Sequence, residues 1–155
     1  MPRIYPSLWF KDDADEAVNY HLSIFKDGEI IQRNVLHNSG PNQDMTVVSI
    51  EFRLFNQTYN AFNGGPHNEF NDSVSFIVEC DSQEEIDNYW SALTANGGQE
   101  VACGWLNDKY GIRWQIVPRG VDALLNDDDP EMAKKKMNAL LSMVKIDIAT
   151  LQNPQ

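Results

Sequence analysis

The side chains of this sequence that could do chemistry are mostly neutral, and they recur at strand spacing. Tyr5, Ser7, Trp9, Asn60, Ser73, Ser75, Ile77, Arg113 and Gln115 fall on one phase of the predicted strands, and Cys103 and Trp105 share one face of a neighbouring strand. Aromatic walls with a few convergent polar groups are the usual lining of a small-molecule pocket. Amides and hydroxyls can hydrogen-bond a neutral or anionic oxygen ligand, and an inward Arg113 could pair with a carboxylate or phosphate. Cys103, with small Gly104 beside it, could serve as a nucleophile if a cation favoured its thiolate. The competing role for a free cysteine is that of a small buried hydrophobe. Trp9 and Trp105 read either as pocket walls or as core aromatics, whereas Trp114, out of phase with Gln115, reads as core.

Other chemistries find no support. Cys80 and Cys103 stand outside any CxxC, and neither HxxxH nor HExxH occurs. His21 falls within a predicted helix, His37 at a strand end and His67 in a loop, where packing or surface roles are expected of each. The acid pairs Asp12-Asp13 and Glu84-Glu85 belong to helix starts, and no Ser/His/Asp or Cys/His arrangement follows from spacing.

Strands must aim these groups, and the hydropathy pattern supplies them twice. Ile4, Pro6, Leu8 and Phe10 alternate with Tyr5, Ser7 and Trp9. Asp12 or Asp13 is placed to cap a helix over roughly 14–26, with Val18, Leu22 and Phe25 on its apolar stripe. Residues 29–37 form a second strand. After the turn-rich 39–44, Val48, Ile50, Phe52 and Leu54 alternate with Val47, Ser49, Glu51 and Arg53, and Phe55-Asn56-Gln57 reverses the chain into Thr58–Phe62. Gly64-Gly65-Pro66 closes this half. The second half repeats the order: a strand at Val74–Cys80, a capping box at Ser82 and Glu85, a helix over about 83–95, and strands at 99–106 and 112–118 around an Asn107–Gly111 turn. Asp15–Tyr20 aligns with Glu84–Tyr89, and the leading strands align one residue out of step, as a duplication with one loop insertion would give. A final helix is expected from Pro130 to about Leu151, with Met137, Leu140, Leu141, Val144 and Ile148 on one face, packed on the sheet or on a second subunit.

A net charge of -11 repels phosphate backbones and anionic lipid heads, so nucleic acid and membrane surfaces are unexpected partners. Lys134-Lys135-Lys136 follows Asp127-Asp128-Asp129 and Glu131, an order that suits a solvated helix. No apolar run approaches a membrane span, and the start MPRIYPSLWFKDD lacks the pattern of a secretory signal, so a cytoplasmic protein is expected.

The segments FNGGP (62–66), SVSFIVECDSQEEIDNYWSAL (73–93), CGWLNDKYGIRWQIVP (103–118) and KIDIATL (145–151) together resemble the PhnB-like group of the glyoxalase/bleomycin-resistance (vicinal oxygen chelate) superfamily. Many of that group carry the label 3-demethylubiquinone-9 3-methyltransferase-like. The resemblance implies an α/β (α+β) fold of paired βαβββ modules forming a cupped mixed sheet, usually in homodimers. Within one domain, the first module spans about 3–66, the second about 72–118, and an added C-terminal helical segment about 119–152. Metal-dependent members place His or Glu at four inward positions, which alignment by strand phase puts at Tyr5, Asn60, Ser73 and Gln115. None of these is His or carboxylate, so no metal and no cofactor are expected. A nucleotide-type methyl donor would need a glycine-rich strand-to-helix turn, but Gly64-Gly65 runs into Pro66 and a loop. The expectation is a metal-independent small-molecule-binding protein. The alternatives are an enzyme that polarises a small oxygenated or aromatic substrate with Gln115, Asn60 and Cys103, and an interaction module built on the dimer surface and C-terminal helix.

Overall fold

Leu8 and Phe10 are buried while Ser7 and Trp9 are exposed, the alternation of a strand with one covered face. They form β1 (Ser7–Phe10) of a computed structural model that describes residues 1–66 and 69–155, so His67 lies outside the described residues. The chain divides into two units, Met1–Asn68 and Glu69–Gln155.

In the first unit β1 is followed by α1 (Ala14–Ile24), β2 (Gly28–Ser39), β3 (Met45–Leu54) and β4 (Gln57–Asn63). The sheet order is β1-β4-β3-β2, with β1 parallel to β4 and the other pairs antiparallel. The helix forms because Ala14, Ala17, Val18 and His21 recur at three- and four-residue spacing and bury together against β3 and β4. Ile50, Phe52, Leu54, Tyr59 and Ala61 bury from the sheet side. Asp13 occupies the N-cap without a side-chain bond. The cap comes instead from Asn63 at the end of β4, whose Oδ1 accepts the Ala14 N–H at 2.8 Å. His21 is buried, consistent with packing.

The second unit repeats the order: β5 (Phe76–Cys80), α2 (Gln83–Thr94), a 3-10 turn (Ala95–Gly97), β6 (Gln99–Glu100), β7 (Trp105–Asn107) and β8 (Arg113–Pro118). Its sheet runs β5-β8-β7-β6 with the same parallel and antiparallel pairing, so the two βαβββ modules share one topology. Ser82 Oγ accepts the Glu85 N–H at 3.2 Å, while the Glu85 carboxylate accepts the Asp81 N–H at 2.6 Å, one residue before the expected partner.

Two elements differ from the sequence expectation. The strand expected over 99–106 is broken, because Cys103 (φ 58°) and Gly104 (φ 82°) are consecutive left-handed residues that turn their N–H groups out of the ladder. Those groups donate to the carbonyls of Met143 and Val144 at 2.9 and 2.8 Å. For the same reason the C-terminal helix is not continuous. It becomes α3 (Val121–Leu125), α4 (Pro130–Ser142) and α5 (Ile148–Gln152), with an extended stretch at 143–147 facing the Cys103-Gly104 turn. Asp129 and Asp147 cap α4 and α5. Val117, Ile146 and Leu151 bury together under Leu124, Leu140 and Met143, and Gln83 clamps the segment by donating to the Ile146 carbonyl and accepting the Ile148 N–H. The C-terminal segment thus packs within the second unit. Among the described residues no helix is long and apolar enough to cross a membrane.

Candidate functional site

Each sheet buries one face under its helix, and the other face carries the polar residues singled out by strand phase. In the first unit Ser7 lies opposite Asn60 in the parallel ladder, and Asn60 lies opposite Glu51 in the antiparallel one. Asn60 Nδ2 donates to Ser7 Oγ at 2.9 Å, while its Oδ1 accepts from Ser49 Oγ at 3.0 Å. Both ends of the amide are therefore held by neutral hydroxyls. Arg3 donates to Glu51 at 2.7 Å and lies over the Tyr5 ring, so Tyr5 sits just ahead of β1 beneath a cation. The Glu51 carboxylate raises the pKa of Arg3 by its hydrogen bond and its charge. Trp9 leans on Phe62 with ring centroids 5.4 Å apart, and its Nε1 donates to the Gly65 carbonyl at 3.1 Å.

In the second unit the open face is a square of cross-strand neighbours, Trp105 opposite Gln115 and Asn107 opposite Arg113. Arg113 Nε donates to Asn107 Oδ1 at 2.6 Å, with its guanidinium carbon 5.8 Å from the centroid of the Trp105 ring. Gln115 Nε2 donates to Ser75 Oγ at 2.9 Å. Ser73 is not brought to Gln115; it lies in the turn before β5, where its N–H donates to Asn71 Oδ1 at 2.9 Å. The ladders also shift one equivalence. With Leu8 matched to Phe76, Ala61 falls on Trp114, so Asn60 corresponds to Arg113 and Phe62 to Gln115.

Cys103 does not share a strand face with Trp105, because the left-handed turn ends the strand before it. Its thiol is half-buried, whereas Cys80 is fully buried and its pKa is pushed up to about 12, mainly by burial. Trp114 is buried on the helix side, as its phase predicts.

Several residues of these faces were not picked out from the sequence. Ser49 and Asn107 are two: each alternates with a buried apolar neighbour, which is the available signal, but neither stands out until a partner strand is known. Asp108, which reaches the helix-side Trp114 rather than the open face, was not picked out either. It is buried, its Oδ1 accepts the N–H groups of Tyr110 and Ile112 at 2.9 and 3.1 Å, and its Oδ2 accepts Trp114 Nε1–H at 3.0 Å. A turn closed by an aspartate onto its own backbone is common at Asn-Asp-x-x-Gly sequences, but the bond to an indole six residues on has no local signature.

As possible ligands to a metal ion, Tyr5, Asn60, Ser73 and Gln115 offer a phenol, two amides and a hydroxyl. Divalent transition ions are held by imidazole, thiolate or carboxylate at about 2.0–2.3 Å, and neutral oxygens do not offset the ion's dehydration comparably. These residues do not fit such an ion. Among the described residues no group of three or more His, Cys, Asp or Glu stands together in a way that could hold one.

The sequence pattern of the 3-demethylubiquinone-9 3-methyltransferase family matches residues 2–117. No curated protein matches the chain by sequence. Among solved structures, the PhnB protein of Bacillus cereus, described as a putative 3-demethylubiquinone-9 3-methyltransferase, is 29% identical with a TM-score of 0.63, covering 75% of this chain and 99% of its own. A protein of Pseudomonas aeruginosa is 16% identical with a TM-score of 0.57, covering 76% and 98% of the two chains. The fosfomycin resistance protein FosX of Listeria monocytogenes is 16% identical with a TM-score of 0.56, covering 81% and 98%, and it has also been crystallised with Mn(II) and sulfate. At 16% identity the likeness is one of fold.

Proposed function

This chain belongs to the 3-demethylubiquinone-9 3-methyltransferase family, the PhnB-like branch of the glyoxalase/vicinal oxygen chelate superfamily, and from that premise we propose that it is a metal-independent small-molecule-binding protein. Asn60 carries the conclusion. On the open face of the first sheet its amide is already held at both ends, between Ser7 and Ser49. Gln115 is held by Ser75 in the same neutral fashion. Such pairs orient hydrogen-bonding groups for an uncharged or singly charged oxygen ligand and give a dication nothing to replace its water. Tyr5, Ser7, Trp9, Asn60, Ser75, Trp105, Arg113 and Gln115 are the proposed binding residues; Ser73 and Cys103 stand at their margin.

Methyl transfer, although it is in the family's name, is not part of this proposal. The strand-to-helix turns of the two modules are Lys11-Asp12-Asp13 and Asp81-Ser82, without the glycines that let a backbone approach a nucleoside-type donor closely. The protein is further proposed to be cytoplasmic and to pair with a second copy. Ile30, Ile31, Val35 and Leu36 on the edge strand β2 are between 41% and 50% exposed, more apolar surface than an edge strand normally leaves open.

Native mass spectrometry of freshly purified, untagged protein tests these points together, reporting subunit number, metal content and retained ligand. Co-purification of a small organic molecule without metal is the expected result, and a stoichiometric transition ion would overturn metal independence. Once a ligand is identified, Gln115→Leu is expected to weaken its binding. Turnover lost with affinity retained in Gln115→Leu or Cys103→Ser would mark an enzyme instead.

A further inference from the structure

Arg3, Arg33 and Arg53 reach Glu51 at 2.7 Å, Asp15 at 2.7 Å, and Asp27 and Glu29 at 3.3 Å. Arg119 reaches Asp81 at 2.5 Å. Arg113 differs: among the described residues its partners are the Asn107 amide oxygen and the face of Trp105. In a chain with 23 acidic against 12 basic residues, one half-buried guanidinium has been matched with neutral groups.

The geometry leaves that guanidinium prepared for an anion. Nε is occupied by Asn107, so the two Nη groups form an end-on fork, the arrangement that takes both oxygens of a carboxylate. Trp105 beside it offers a flat apolar wall and weakens the competition from water. Gln115 lies two residues along β8 from Arg113, about 6.7 Å away on the same face, and opposite Trp105. With one amide N–H on Ser75 it keeps the other N–H and its carbonyl for the far end of a ligand. The net charge of -11 sets the preferred valence, since a dianion is repelled by the chain's field about twice as strongly as a monoanion.

We propose that Arg113, Trp105 and Gln115 form a subsite for a flat aromatic monocarboxylate, with the carboxylate on the Arg113 fork and the ring along Trp105. This rests on the small-molecule function proposed above and names its ligand class.

The test is calorimetric titration of the full chain at low ionic strength with 2-naphthoate, with its neutral counterpart 2-naphthamide, and with inorganic phosphate. 2-Naphthoate is expected to bind saturably at one per chain, with 2-naphthamide at least about tenfold weaker, as loss of a charge-assisted pair implies, and phosphate failing to displace it. Arg113→Gln is expected to abolish the preference for naphthoate over naphthamide, and Arg113→Lys, which keeps the charge but not the fork, to retain part of it. The wild-type comparison of the two probes stands even if a variant fails to fold. Equal affinity for 2-naphthoate and 2-naphthamide would overturn the carboxylate assignment while leaving a neutral small-molecule site. Displacement by phosphate would reassign the fork to a tetrahedral oxyanion. No saturable binding of any probe would overturn the subsite; the broader function would fall separately, on stoichiometric metal in the native mass spectrum.

Discussion

The indole of Trp9 lies directly on Gly64. A methyl group there would run into its Nε1 and come within 2.8 Å of the Phe62 ring, and the next residue's carbonyl accepts the indole N–H. The Phe62-Asn63-Gly64-Gly65 segment is therefore a seat for the aromatic wall of the first sheet's open face, and its Asn63 also caps α1. Gly64→Ala is expected to lift Trp9 off this seat and lose the Gly65 bond, costing about 1 kcal/mol from the hydrogen bond with strain added. The change should appear as a shifted indole N–H resonance and a red-shifted tryptophan emission. An unchanged indole resonance would mean that the ring is not held this way.

Asp108 and Trp114 give a second measurable pair. The carboxylate is buried and accepts two backbone N–H groups and one indole N–H. Asp108→Asn presents an amide N–H to the indole donor or to the turn, and is expected to destabilise by about 2 kcal/mol; Asp108→Ala should cost more, about 3 kcal/mol, by leaving all three donors unpaired. A cycle with Trp114→Phe in urea denaturation should return a coupling of about 1 kcal/mol or more. Additivity of the two substitutions would show that the indole bond is not formed in solution.

The element order of both modules was legible because burial on one face leaves period-two alternation in each strand and three-four spacing in each helix. Ile50, Phe52 and Leu54 in β3 and Ile86, Trp90 and Leu93 in α2 are examples, buried as the pattern requires. The break at Cys103-Gly104 was not legible, since alternation continues through Cys103 and Trp105 and the N–H groups that leave the ladder do so for carbonyls forty residues downstream. The division of the C-terminal helix has the same cause: Met143 and Val144 suit a helical face, but their carbonyls are taken by that turn. Of the open faces, the phases of Ser7, Asn60, Arg113 and Gln115 could be read from the strands. Which groups they touch depends on register, and one residue pair, Ser75 with Gln115, replaced the expected Ser73 with Gln115.

Burial separates the two cysteines. Cys80 lies at the end of β5 with its thiol pushed up to about 12 by burial and then by Glu85 and Asp81, so at pH 8 it stays protonated. Cys103 is half-buried. Titration of the folded protein with a disulfide reagent at pH 8 should consume one thiol per chain and become null in Cys103→Ser, with both thiols reacting in denaturant. Reaction of Cys80 in the folded protein would contradict the packing of β5 against α2.

The junction of α2 with the C-terminal segment sets an acid limit. Lys145 and Gln83 hold the Asp87 carboxyl below its ordinary pKa, and the Thr150 backbone N–H does the same for Asp147 at the cap of α5. A carboxyl with a lowered folded pKa contributes stability that is fully present above its unfolded value, about 4, and is lost as pH falls through the lower folded one. The urea midpoint should therefore change little through these groups between pH 5 and 8 and fall below about pH 4. Asp87→Asn should flatten that acid limb, and an unaltered limb would show that the Lys145 pairing is not maintained in solution.

Ile146 links the C-terminal segment to the second sheet's open face. It is buried in the cluster with Val117 and Leu151, and a methyl on Gly104 would lie 2.8 Å from its Cδ1. Gly104 is also held left-handed at φ 82° and starts the turn that delivers Trp105 to its place opposite Gln115. Ile146→Ala removes the packing that backs this turn and is expected to cost about 2–4 kcal/mol. Gly104→Ala strains both the backbone and the Ile146 contact, for about 2 kcal/mol or more. Because Trp105 is aimed by the turn, both variants should weaken a ligand bound on that face even at temperatures where the fold persists, whereas Leu141→Ala, an exposed change on α4, should alter neither stability nor binding. Stability lost without any change in binding would separate the C-terminal segment from the site and leave it a purely structural addition to the second module.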